Sequence, residues 1–86
     1  MRVISQNRKS DIPYEYFAFS IVSNGNSYSI IATKNIAEPP EVIMNSIFAT
    51  YSTKEKAIKA MEALRETYMH PYIRYFQFPK DDEVEN

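Results

Sequence analysis

Gly25 is the only glycine in this chain of 86 residues. The chain therefore has one position where a positive-φ turn meets no side-chain obstacle. Gly25 lies in Ser23-Asn24-Gly25-Asn26, between two β-rich runs at residues 16–22 and 27–33. Asn-Gly between such runs is the strongest short-range hairpin signal, because both central turn residues take positive φ. With Asn24-Gly25 as the turn, Ile21 faces Tyr28, Phe19 faces Ile30 and Phe17 faces Ala32. These six share one apolar face. The opposite face pairs Val22 with Ser27, Ser20 with Ser29, Ala18 with Ile31 and Tyr16 with Thr33, and is mostly polar. A slip of one residue would destroy that separation, so pattern and turn support each other.

The rest of the chain supplies partners for the hairpin. Val3 and Ile4 open a short apolar segment, and residues 6–11 read as a polar loop. Asp11-Ile12-Pro13 reads as a change of direction. The adjacent prolines Pro39 and Pro40 bar residues 34–42 from a central strand, so an irregular connection is expected there. Residues 43–51 recover β character, with Ile47, Ala49 and Tyr51 on one side and Phe48 and Thr50 on the other. Ser52-Thr53-Lys54-Glu55 then fits a capping box, with Ser52 as the cap and Glu55 reaching back. Ala57, Met61, Leu64 and Tyr68 recur at helical spacing with Ala60 beside them, and Pro71 stops the helix. Residues 73–78 read as a last strand.

A lone hairpin is marginal in water, and one helix cannot bury its stripe by itself. The expected fold is α+β. It is a small, mainly antiparallel sheet of four to five strands with one α-helix, residues 53–69, packed on one face. The order is β, β-hairpin, β, α, β. One domain over residues 1–79 and an acidic flexible tail over 80–86 complete the expectation. Residues 1–79 carry nine basic and seven acidic side chains, whereas the tail carries one basic and four acidic.

Composition narrows the functions. Cysteine is absent and His70 is the sole histidine, which excludes disulfides, thiolate nucleophiles and multi-histidine metal centres. One glycine leaves no phosphate-cradling loop. His70 beside Pro71 has no nucleophile to activate, and a histidine near a helix C-terminus is ordinary dipole compensation. No cofactor, no metal and no catalytic residue is expected. A net charge of −1 argues against bulk-charge binding to nucleic acid or an anionic membrane. No apolar run reaches the ~18 residues of a membrane span. A cytoplasmic location is the expectation.

Aromatic residues make up 14% of the chain, without tryptophan, so Phe17, Phe19, Phe76 and Phe78 are expected to fill the core. The tyrosines are the open question. Tyr14, Tyr16 and Tyr75, with Arg74, are the candidate partner-binding residues, because an amphipathic ring on an open surface suits a protein interface. The second reading is a platform for single-stranded nucleic acid built from the sheet aromatics, Arg74 and Lys34.

Several segments also resemble a known family. These are Met1-Arg2-Val3-Ile4-Ser5-Gln6, Asp11-Ile12-Pro13-Tyr14-Glu15, Tyr51-Ser52-Thr53-Lys54-Glu55-Lys56-Ala57, Ala60-Met61-Glu62-Ala63-Leu64-Arg65-Glu66 and Phe76-Gln77-Phe78-Pro79 with the acidic end. They are similar to a family of short uncharacterised phage and mobile-element proteins of Gram-positive bacteria of the clostridial and streptococcal kind. The resemblance covers roughly half the chain and brings no assigned activity. It implies a small accessory protein that binds a host protein, possible targets including a host-defence factor. Pairing of sheet edges between two copies, giving a homodimer, is a further expectation.

Overall fold

In a computed structural model, residues 1–34 and 46–84 are described. The Pro39-Pro40 connection, the first part of the expected strand at 43–51 and the last two tail residues lie outside them. The hairpin forms as β3 (Phe17–Asn24) and β4 (Ser27–Lys34), antiparallel. Its turn is shifted by one residue from the expected one. Asn24 pairs with Ser27, which makes Gly25-Asn26 the central residues. Gly25 takes φ +67° and Asn26 keeps a negative φ. Positive φ at the first central residue only is the type II′ arrangement, which wants glycine in that place. Because strand pairing advances by two when the turn moves by one, parity is kept. Phe19 now pairs with Ala32 and Ile21 with Ile30, and the apolar side chains still share one face. Gly25→Ala is expected to destabilise the protein by about 1–2 kcal/mol, since open space around the site does not relieve a left-handed backbone. Denaturant unfolding measures this, with Gly25→Asn as the milder comparison.

The architecture is α+β, and the described residues form one α-helix and six strands that divide into two sheets of three. One sheet has the order β3-β4-β5, with β5 at Ser46–Tyr51. The other has the order β2-β1-β6, with β1 at Arg2–Ile4, β2 at Asp11–Pro13 and β6 at Tyr75–Gln77. Two expectations are corrected here. Among the described residues the strands make two three-stranded sheets where one of four to five was expected, and Asp11–Pro13 is a strand and not a turn. It pairs antiparallel with β1, setting Arg2 opposite Pro13. Proline is tolerated because β2 is an edge strand and Pro13 ends it. β6 pairs parallel to β1, with Val3 opposite Phe76.

Gln6 joins the sheets. Its backbone N–H donates to the Phe48 carbonyl at 2.7 Å. Its side-chain oxygen accepts from the Thr50 N–H at 3.1 Å, and its amide nitrogen donates to the carbonyls of Thr50 at 3.2 Å and Pro79 at 3.0 Å. One glutamine thus stands in for a strand along the outer edge of β5.

β5 departs from strict alternation. Ile30 pairs with Ala49 but Ile31 pairs with Ile47, so Phe48 is an extra residue in a β-bulge. A bulge turns neighbouring side chains toward the same side. Phe48, Ala49 and Tyr51 are all buried, and Ile47 is exposed. Phe48 then meets Phe19 and Phe78 at ring separations of 6.0 and 6.5 Å.

The helix, α1, spans Lys54–Tyr68. Its cap is Thr53, whose hydroxyl accepts from the Lys56 N–H, so the expected Ser52–Glu55 capping box does not form. Ser52 is engaged elsewhere. Its N–H donates to the Asp81 carboxylate at 2.8 Å and its hydroxyl lies 3.1 Å from both carboxylate oxygens. Lys56 Nζ approaches the same carboxylate at 3.5 Å. Asp81–Glu83, expected as part of a flexible tail, form a 3-10 turn held at the start of α1. The expected cap, Ser52, is drawn away by Asp81, which is remote in the chain, and the next residue takes the role.

Candidate interaction cleft

Ala57, Ala60 and Leu64 form the fully buried row of α1. Beneath it, Ile30 and Ala32 on β4 and Ala49 on β5 are buried. The cover runs out over β3, where Phe17, Phe19 and Ile21 are only half-buried. An open cleft of about 580 Å³ lies between these β3 side chains and the flank of the helix. Ile58, Met61 and Arg65, at i, i+3 and i+7, make the helical wall. Tyr14 and Tyr68 stack at one end with ring centroids 4.2 Å apart. Tyr14 also lies nearly parallel to Phe19 at 6.0 Å.

The charges along this cleft are unequal. Glu15 accepts from the N-terminal ammonium of Met1 at 2.9 Å. That hydrogen bond holds the Glu15 carboxyl below the usual carboxylate range. Arg65 has no ion-pair partner among the described residues. The acidic group is neutralised and the basic one is left over.

The four candidate partner-binding residues do not converge. Tyr14 lies in the cleft, half-buried. Tyr16 is 65% exposed just before β3. Tyr75 is 61% exposed on β6 and pairs with Arg2 in the other sheet. Arg74 is exposed beside it, its carbonyl accepting the Arg2 N–H at 2.9 Å. The stretch after the helix adds Met69, Tyr72 and Ile73 as exposed apolar side chains. Phe19, Phe48, Phe76 and Phe78 pack against one another and form no open stacking face. Ile58, Met61, Arg65 and Tyr68 were not singled out from sequence as one surface. Their spacing along one helix flank was the available signal, but a flank gains meaning only once the sheet's position is known.

At the opposite end of α1, the Ser52 N–H, then the Ser52 hydroxyl and Lys56, hold the Asp81 carboxyl below its usual range. Tyr51 donates to the Pro79 carbonyl at 2.7 Å. Burial, with the negative charges of Asp81 and Glu83, pushes its phenol well upward. These groups bond to one another and fasten the C-terminal segment. Among the described residues no three His, Cys, Asp or Glu side chains gather as metal ligands. No described helix is long and apolar enough to cross a membrane. Comparison with protein-family models, with curated proteins and with solved structures finds no match.

Proposed function

We propose that this chain is a small non-enzymatic protein-binding module. In this reading it is a cytoplasmic accessory protein of a phage or mobile element, acting on a host protein such as a defence factor. The observation that carries the binding reading is the cleft itself. Half-buried Phe17, Phe19 and Ile21 face the helical row of Ile58, Met61 and Arg65 across open space, and Ile58 is exposed. Apolar surface left in that state is characteristic of interaction sites. The accessory-protein reading rests on the sequence segments that resemble such proteins. A non-enzymatic role agrees with the cleft's chemistry, because its carboxylate is ion-paired and held ionised, not poised to exchange protons.

The test is capture from a Gram-positive lysate, with nuclease-treated and untreated halves, using wild type and Ile58→Glu. Ile58 is 39% exposed, so a charge there leaves the core intact. One protein that survives nuclease and falls roughly tenfold or more with Ile58→Glu is the expected result. Capture that disappears with nuclease transfers the weight to single-stranded nucleic acid. Tyr16→Ala and Tyr75→Ala, each at an exposed ring, report whether contact extends beyond the cleft.

A further inference from the structure

We propose that the cleft takes an extended segment of the partner protein, which adds to β3 as a further strand. Its cleft-facing side chains are apolar, and one carboxylate meets Arg65. This rests on the protein-binding reading and specifies its chemistry.

β3 is an edge of its sheet. The turn sets the phase of that edge. Asn24 and Ser27 close a two-residue turn, so they exchange hydrogen bonds, and the antiparallel alternation follows from there. Val22, Ser20 and Ala18 direct their N–H and C=O groups toward β4. Ser23, Ile21 and Phe19 direct theirs outward. No described turn or loop backbone bonds to those three residues. At Phe17 the N–H is already taken by the Tyr14 carbonyl. Three donors and three acceptors are therefore presented in register along the cleft.

The same phase decides where side chains go. Residues directly opposite one another in an antiparallel pair point to the same face. An incoming residue that bonds to Phe19 or Ile21 also directs its side chain beside them, against Ile58 and Met61. The dimensions agree. Phe17 to Ile21 spans about 13 Å as strand, and Ile58 to Tyr68 spans about 15 Å as helix.

The strand also carries no guard of its own. Folded sheets protect exposed edges with charges, prolines or covering segments. Phe17–Asn24 contains no charged residue and no proline. The outer edge of β5 is occupied by Gln6, and β2 ends in Pro13. Charge then separates the candidate occupants. Arg65 is the uncompensated group, because Glu15 is held by the Met1 ammonium. A second copy offering its own β3 brings no carboxylate to Arg65. An acidic, apolar strand from another protein does.

The experiment selects a displayed library of random decapeptides against the full chain. The expected consensus has apolar residues at every second position and an Asp or Glu among them. A synthetic peptide of that consensus is then methylated on backbone nitrogen. Methylation at the apolar, cleft-facing residues should weaken binding at least ~tenfold, while methylation at the intervening residues stays within ~twofold. That contrast leaves the protein unaltered and does not depend on a variant folding. Arg65→Glu should weaken the acidic peptide by more than ~tenfold. Ile21→Pro should abolish binding, since it removes an outward N–H and spares the ladder to β4. No enrichment, apolar residues at i, i+3 and i+4 spacing, or equal tolerance of methylation at both sets of positions overturns the proposal. So does a dimer in light scattering that Ile21→Pro converts to monomer, which assigns the edge to a second copy. Helical spacing would overturn strand addition yet leave the protein-binding reading standing. Nuclease-sensitive capture removes that reading itself.

Discussion

Phe78→Ala is expected to be the most destabilising single change among the described residues, at about 3–5 kcal/mol. A domain of this size has roughly 4–13 kcal/mol in total, so the variant is largely unfolded at the lower end of that range. Phe78 is fully buried. Its ring lies 5.2 Å from Phe76, 6.1 Å from Phe19 and 6.5 Å from Phe48. Those neighbours come from β6, β3 and β5, so one side chain ties together both sheets. Its N–H also donates to the Ile4 carbonyl at 3.1 Å. Alanine would leave a cavity among rigid rings, and cavities that cannot collapse cost the most. Circular dichroism during thermal unfolding measures the loss, as a fall in Tm of roughly 15–30 °C. Phe76→Ala, at a half-buried ring, is the comparison and should cost less. Equal effects at the two positions would mean that Phe78 is not the point where the sheets meet.

Gln6→Met is expected to cost about 1–3 kcal/mol, through lost hydrogen bonds and not through lost volume. Methionine nearly matches glutamine in length but cannot satisfy the Thr50 N–H or bond the Thr50 and Pro79 carbonyls. Amide exchange separates this from a general loss of packing. The Thr50 amide should lose protection well before the Ile30 amide, which sits in the centre of the β3-β4-β5 sheet. Unchanged Thr50 exchange would show that the sheets are held by side-chain packing alone.

Legibility in the sequence followed the range of the interactions involved. The hairpin was readable because Asn24, Gly25 and the two alternating runs are neighbours in the chain. Even there the turn was displaced by one residue, since a lone glycine satisfies a type II′ turn as well as a type I′ turn. The helix was readable from Ala57, Met61, Leu64 and Tyr68 at helical spacing, with Ala60 beside them. Its cap was not, because Ser52 is drawn to Asp81 and Thr53 is left to cap. The strand at Asp11–Pro13 was hidden by its proline, which an edge position tolerates. Tyr14 was singled out as a contact residue and lies in the cleft, but the reason differs: it stacks on Tyr68 instead of standing on an open sheet face. Arg65 gains its place in the cleft only from the packing of α1 over β3.

By itself the sequence determined an α+β chain with one helix and one hairpin of fixed facing. It did so through periodicity and a single glycine, both of which act over a few residues. Only the tertiary structure decided that the strands form two sheets, that Gln6 and Phe78 join them, and that α1 leaves β3 half-covered. Those outcomes depend on contacts between residues far apart in the chain. Loop closure and packing geometry, not local preference, set which of those contacts form.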